Sequence, residues 1–227
     1  MKILLASGNA GKLREIEALT EGLPIEWCGL ADFPALEIPP EDGETFVDNA
    51  LLKAASACAQ TGLPTLADDS GICVDALDGG PGIHSARFAG THGADEANND
   101  LLLERLTGVP DADRGAHFHC SIAIVSPLDH SLMRFPAPEG VLLTTRHSEL
   151  REGQYAWVAE GQVHGRIAHE RAGQGGFGYD CLFHHPASGC TFGELDPVVK
   201  NGISHRATAL AKVRVLLERA ASAAAGA

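Results

Sequence analysis

The sequence predicts an α/β or α+β fold carrying a long mixed sheet. Three observations lead there. Segments with apolar residues at helical spacing stand early, midway and last in the chain, and short apolar runs of strand length lie between them. Of the 227 residues, 44% are hydrophobic and 21% charged, the balance of a globular chain able to bury a full core. No internal repeat and no low-complexity linker breaks the pattern.

Lys2–Ala6 reads as a short buried strand ending at Ser7-Gly8-Asn9. Lys12–Glu21 follows as a helix, with Leu13, Ile16 and Leu19 on one face. Ile25–Cys28 reads as a second strand, and residues 34–43, with Pro39-Pro40 and Glu41-Asp42, as a loop. Thr45–Gln60 is a helix with Phe46, Ala50, Leu51 and Ala54 in register, ended by Gly62-Leu63-Pro64. Thr65–Ala67 resumes as a strand, with Asp68-Asp69-Ser70-Gly71 at its carboxyl end. Gly79-Gly80-Pro81-Gly82 cannot be helix interior and forms an ordered loop. Asp95–Leu106 is a helix, Ala116–Val125 the clearest strand and Pro127–His130 a turn. Leu132–Phe135, Val141–Thr145, Tyr155–Glu160 and Gly165–Ile167 read as short strands, and Gly173–Gly178 as a glycine-rich loop. Ser204–Ala220 is the final helix, with an alanine-rich tail at 221–227 expected to fray. Residues 1–227 are expected to form one bilobed unit, with 116–168 a candidate second lobe.

Charge excludes some classes of function. Lys+Arg is 17 and Asp+Glu is 30, so the net charge is 17 − 30 = −13, which disfavours a surface for nucleic acid or an anionic membrane. Aromatics, at 5%, are too few for a base-stacking platform. A small polyanion still fits where local cations or a metal offset the charge. No apolar run approaches about 20 residues, and Ile3–Ala6 is too short for a signal-peptide core. Six cysteines form no C-x-x-C pair, so reduced, mostly buried thiols and a cytoplasmic protein are expected. His184-His185 with Cys181 and Cys190 match no closed zinc pattern.

Five segments carry chemistry, and each alone has a plainer reading. Ser7-Gly8-Asn9-Ala10-Gly11-Lys12 joins a strand to a helix, where N–H groups and a lysine suit phosphate, or it is a simple turn. It is not a P-loop, since Gly8 and Gly11 are three apart and Leu13 replaces the hydroxyl residue. Asp68-Asp69 repel unless a cation or proton intervenes, and their oxygens suit Mg²⁺; the plainer reading is an exposed acidic turn. Glu41-Asp42-Gly43-Glu44 completes a metal site or complements the following helix dipole. Gly175-Gly176-Phe177-Gly178-Tyr179-Asp180 offers an aromatic face and a carboxylate to a planar ring, or plugs the core. Lys200, Asn201, Ser204, His205 and Arg206 offer donors to oxo groups, or cap a solvated helix.

Their order is specific. S-G-N-x-G-K, E-D-G-x-T-F-x-x-N-A-x-x-K-A at 41–54, A-D-D-S-G-x-x-V-D-A-L at 67–77 and P-G-I-H-S-A-R at 81–87 come first. F-H-C at 118–120, G-G-F-G-Y-D-x-x-F at 175–183 and K-N-x-I-S-H-R-x-x-A-L at 200–210 follow. Over nearly the whole chain this closely resembles the Ham1-like family of inosine triphosphate pyrophosphatases, which act on non-canonical purine nucleoside triphosphates. The resemblance implies an α/β fold with an elongated mixed central β-sheet, flanking helices and two lobes with an active-site cleft between them. It also implies a homodimer and Mg²⁺-dependent hydrolysis of ITP, dITP and XTP to the monophosphate and pyrophosphate. Asp69 matches the general base and metal ligand, with Glu41 and Asp68 as acidic positions near the metal. Ser7, Gly8, Asn9, Ala10, Gly11 and Lys12 match the phosphate segment, and Ser70 a substrate contact. Phe177, Gly178, Tyr179 and Asp180 match the base-binding loop, and Lys200, His205 and Arg206 the purine readers.

His84 stands where an aromatic is expected, Cys181 replaces a proline, Gly193 replaces an alanine, and residues 136–160 exceed the family norm in length. None removes a catalytic group. Lys53 reads equally as a helper at the metal and as a solvated surface lysine. The rival readings are a Maf-type pyrophosphatase of modified pyrimidine nucleotides and a non-catalytic nucleotide-binding protein.

Overall fold

The computed structural model describes residues 1–130, 132 and 135–225, with side chains as far as Ser222. Eight strands and five α-helices lie in these residues, with the last five strands consecutive before the last two helices. In chain order they are β1 (Lys2–Leu5), α1 (Ala10–Leu19), β2 (Glu26–Cys28), α2 (Phe46–Thr61), β3 (Thr65–Val74), α3 (Asp95–Arg105) and β4 (Gly115–Pro127). Then come β5 (Val141–Thr144), β6 (Gln154–Ile167), β7 (Phe183–His185), β8 (Cys190–Thr191), α4 (Pro197–Ile203) and α5 (His205–Ala225). The strand order is β2-β1-β3-β4-β6-β7-β8, with β5 also on β6. β1 pairs parallel with β2 and β3, whereas β5–β6, β6–β7 and β7–β8 are antiparallel, so the sheet is mixed as expected.

The chain divides into two compact units. The first comprises Met1–Asp69, Cys120–Gly161 and the residues from Thr208 onward; the second comprises Ser70–His119 and Gln162–Ala207. The stretch 116–168 is therefore shared between them. In the first unit the inner strands, β1 and the adjoining parts of β3, β4 and β6, are almost wholly buried on both faces, while β2 and β5 are more exposed. Ile3, Leu5, Leu66, Ile122, Ile124 and Trp157 pack with Ile16 of α1 and Leu210, Val213 and Leu217 of α5. The alternate residues Leu4, Ala6, Ala67, Ala123, Val125 and Val158 pack with Ala50, Leu51 and Ala54 of α2. Small alanines on α2 let it lie close to the sheet. The second unit has its own core, in which Ile72, Val74, Phe118, Val163, Phe183 and Phe192 meet Leu102 of α3.

Helix ends follow local chemistry. Asn9 caps α1 by accepting from Gly11 and Lys12 N–H, so that helix begins two residues before the expected Lys12. Thr45 and Asp48 form a capping box on α2, and Gly62 at φ +69° ends it. Asp196 and Pro197 start α4, a helix the sequence reading did not assign, since it began the final helix at Ser204. Ser204 Oγ accepts from Ala207 N–H at 3.1 Å, the capping role expected of it.

Three strand expectations are corrected. Asp68-Asp69-Ser70-Gly71 lies inside β3, because Ile72-Cys73-Val74 carries the extended chain onward and the acidic pair has local cations to receive it. Tyr155–Glu160 and Gly165–Ile167 are parts of one strand, β6. Gly165 permits the close approach of β7: a Cβ there would lie 2.5 Å from the His184 carbonyl oxygen and 2.6 Å from Phe183 Cζ. In the expected strand Leu132–Phe135, residues 133 and 134 lie outside the described residues, and Phe135 N–H donates to Leu132 C=O at 3.2 Å, a turn bond. α5 continues to Ala225, and positions 226 and 227 of the expected tail lie outside the described residues.

Candidate functional site

Among the described residues, each unit holds a cluster of buried polar side chains from the expected segments. In the first unit, β3 presents Asp68 and Asp69, both buried. α2 aims Asn49 and Lys53, one helical turn apart, at them from its buried face. Lys53 Nζ lies 2.5 Å from Glu41 Oε1, 2.8 Å from the Asp68 carbonyl oxygen and 3.7 Å from Asp69 Oδ1. Asn49 Nδ2 donates to Asp69 Oδ2 at 3.1 Å, while Asn49 Oδ1 accepts from Gly43 N–H at 2.9 Å. Asn49 thus ties the loop bearing Glu41 to the strand bearing Asp69. Gly43 is required there, since a Cβ would lie 2.6 Å from Asp48 Cβ and 2.8 Å from Asn49 Oδ1. Lys12, at the start of α1, reaches Asp68 Oδ2 at 3.2 Å.

Burial raises the Asp69 pKa above the ordinary aspartate value, against the pull of Lys53 and Lys12. Burial opposes the Lys53 ammonium, but Asp69, Glu41 and Asp68 outweigh it and hold its pKa above the ordinary lysine value. The lysine is therefore a fixed positive charge shared by the carboxylates. At the Ser7–Lys12 turn, Ser7 Oγ accepts from Asn9 N–H, and Asn9 Oδ1 takes the N–H groups of Gly11 and Lys12.

The second cluster belongs to the second unit. Lys200 Nζ, on α4, lies 2.5 Å from Asp180 Oδ2 and 4.9 Å from the Phe177 ring centroid. Arg206 Cζ lies 5.9 Å from the same ring, within cation–π range, and Arg206 Nη2 donates to Ser70 Oγ at 2.9 Å. His205 stacks on Phe118, with centroids 4.8 Å apart and planes at 15°. Asp180 Oδ2 also accepts from Phe177 N–H at 2.9 Å, and Tyr179 Oη donates to the Ser85 carbonyl at 2.8 Å. The expected residues are thus grouped as Asp68, Asp69, Glu41 and the Ser7–Lys12 turn in one cluster, and Ser70, Phe177, Gly178, Tyr179, Asp180, Lys200, His205 and Arg206 in the other.

Sequence reasoning left Lys53 undecided and passed over Asn49. Their i, i+4 spacing on the alanine-rich face of α2 was the available signal, because polar residues on a buried helix face need partners.

The donor set suits Mg²⁺. Glu41 Oε1 and Asp69 Oδ1 already share one cationic centre, the Lys53 ammonium, and both are hard oxygen ligands. Among the described residues no three His, Cys, Asp or Glu side chains group into a self-sufficient metal site.

The profile of the Ham1 family matches residues 3–216. The chain belongs to the Ham1 family. It is 44% identical to a dITP/XTP pyrophosphatase of Geobacter sulfurreducens over 94% of this chain and 94% of that protein. It is 45% identical to a dITP/XTP pyrophosphatase of Thioalkalivibrio sulfidiphilus over 96% of this chain and 98% of that one. Among solved structures, a HAM1 protein from Coxiella burnetii matches with a TM-score of 0.73 at 36% identity, covering 100% of both chains. The nucleoside-triphosphatase / dITP/XTP pyrophosphatase from Mycobacterium abscessus matches at 0.67 and 42% identity, over 93% of this chain and 97% of that one. With this kinship the Ham1 fold accounts for the mixed sheet, and the polar clusters occupy the segments that carried the resemblance.

Proposed function

We propose that this chain hydrolyses non-canonical purine nucleoside triphosphates, ITP, dITP and XTP, to the monophosphate and pyrophosphate, and so cleanses the nucleotide pool. One observation carries the reading: the Phe177 ring has the buried Lys200 ammonium and the Arg206 guanidinium over it. These cations offer hydrogen-bond donors to a purine whose position 6 is an oxo acceptor. Adenine would bring an amino donor against those cations, a buried mismatch costing about 1–3 kcal/mol. The names of the relatives support the same assignment.

The first cluster serves the phosphates. Lys12 and the start of α1 take part of their charge. Asp69, with Glu41 or Asp68, would hold Mg²⁺, which when bound supplies charge neutralisation and acidifies water. Asp69 takes the proton of the water that attacks the α-phosphorus, and pyrophosphate leaves. Lys53 holds Glu41 and Asp69 in place and stays charged throughout.

We also infer a cytoplasmic homodimer. All six cysteines are free, three buried and three half-buried, which suits a reducing compartment. Among the described residues no helix is long and apolar enough to cross a membrane.

The test is a panel of nucleoside triphosphates with Mg²⁺, read by pyrophosphate release. ITP and XTP should exceed ATP about tenfold or more in kcat/KM. Equal cleavage of ITP and ATP sinks the base-reading argument, and preference for pyrimidines would favour a Maf-type activity.

A further inference from the structure

Helix α3 grips the loop under the Phe177 ring by both polar groups of one residue. Gly178 N–H donates to Asp95 Oδ2 at 2.8 Å, and the Gly178 carbonyl accepts from Asn99 Nδ2 at 2.9 Å. Asp95 and Asn99 are four positions apart and project from one face of the helix. Gly178 has φ +60°, a left-handed backbone that glycine adopts without strain, and sits between Phe177 and Tyr179. Phe177 N–H and Tyr179 Oη have partners of their own in Asp180 and Ser85, so α3 supplies the hold at the apex between them.

Asn99 serves the loop at the expense of its own helix, whereas Asp95, in the first turn, also suits the helix dipole. Ala94, the N-cap of α3, makes no side-chain capping bond, and the Asp95 carboxylate beside it goes to Gly178 instead. Asn99 is 1% exposed, and its Oδ1 has no hydrogen-bond partner while its amide N–H holds the loop. At position 99 an alanine or leucine would suit the helix better and leave no orphan acceptor.

We propose that Asp95 and Asn99 are positioning residues for base selection: they fix Gly178, and through it the Phe177 ring against which Lys200 and Arg206 read the purine. This rests on the nucleotide reading above. The clamp acts on binding and discrimination, and leaves the hydrolytic step to the first cluster.

The experiment compares Asp95→Ala, Asp95→Asn and Asn99→Ala with wild type, using ITP and ATP and a thermal melt of each protein. Asp95 is half-buried, so its variants leave the core intact. D95A should raise KM for ITP about tenfold, with kcat within about twofold, and narrow the ITP-over-ATP ratio of kcat/KM by a similar factor. D95N keeps an oxygen that accepts from Gly178 N–H, and should recover most of both. N99A should repeat the D95A pattern; if it does not fold, D95A decides alone. Unchanged KM and selectivity in D95A overturn the clamp, as does a loss that tracks melting temperature and is not rescued in D95N. A wild type that cuts ITP and ATP alike overturns the nucleotide reading and this proposal with it, whereas a selective wild type with an unaltered D95A overturns the clamp alone.

Discussion

Lys53 is the residue on which the first cluster depends. Its side chain is 9% exposed and stands among Glu41, Asp68 and Asp69. Lys53→Met keeps the stem and removes the charge, leaving carboxylates buried without it, a change that costs about 3 kcal/mol when one partner of a buried pair is lost. The pH dependence has a definite sign. Burial raises the folded pKa of Asp69, so in wild type some stability is lost as pH rises through the window above the ordinary aspartate value. Without Lys53 that pKa rises further and the window extends upward, so the deficit of K53M should be larger at about pH 7 than at about pH 4 in urea melts. On the alkaline side, the Lys53 contribution is complete below the ordinary lysine pKa and is lost as pH rises through its raised folded value. Asp69→Asn tests the chemistry: turnover should fall by about 10²–10⁴-fold with the urea midpoint near wild type, and retained pyrophosphate release would remove Asp69 from the mechanism. The acidic pair and the basic residues were legible in sequence because motif order singled them out. Lys53 was not, since a helical lysine commonly lays its stem along the surface with its charge in water, and only the packing of α2 on β3 decides its burial.

At the level of elements, the sequence pattern succeeds where apolar periodicity is long and fails where glycine or carboxylate interrupts it. α2, α3 and β4 stand within one or two residues of expectation. β3 was cut short at Asp68 because carboxylates inside a buried strand contradict the apolar pattern, and their partners, Lys12 and Lys53, come from distant helices. β7 and β8, of three and two residues, are too short to show a period. β6 was split because glycine at 161 and 165 reads as punctuation, whereas Gly165 is there for the approach of β7. Gly165→Ala should therefore destabilise through overpacking against Phe183 and the His184 carbonyl, by about 1–3 kcal/mol, seen as a lower urea midpoint with an unchanged m-value. A neutral result would mean that β7 can shift by the needed fraction of an ångström without loss.

The whole molecule is a strongly acidic protein whose proposed ligand is also an anion, so its charges must be arranged by range. Seventeen basic residues face thirty acidic ones, giving −13. The cations that matter are held close: Lys53 on Glu41, Lys12 on Asp68, Lys200 on Asp180. These contacts are short and largely buried, and salt screens them little, whereas the surplus of surface carboxylates repels over longer distances that salt does screen. The Debye length shrinks from about 30 Å at 0.01 M ionic strength to about 10 Å at 0.1 M, so added NaCl over that range removes repulsion and leaves the buried pairs. Melting temperature should rise with salt at neutral pH. The gain should shrink at about pH 5, where histidines charge and the net negative charge falls. Scanning calorimetry across both variables checks this. A melting temperature that drops with salt would mean that exposed pairs such as Arg171 with Glu96 and Asp100 outweigh the net charge, contrary to the small worth of surface ion pairs.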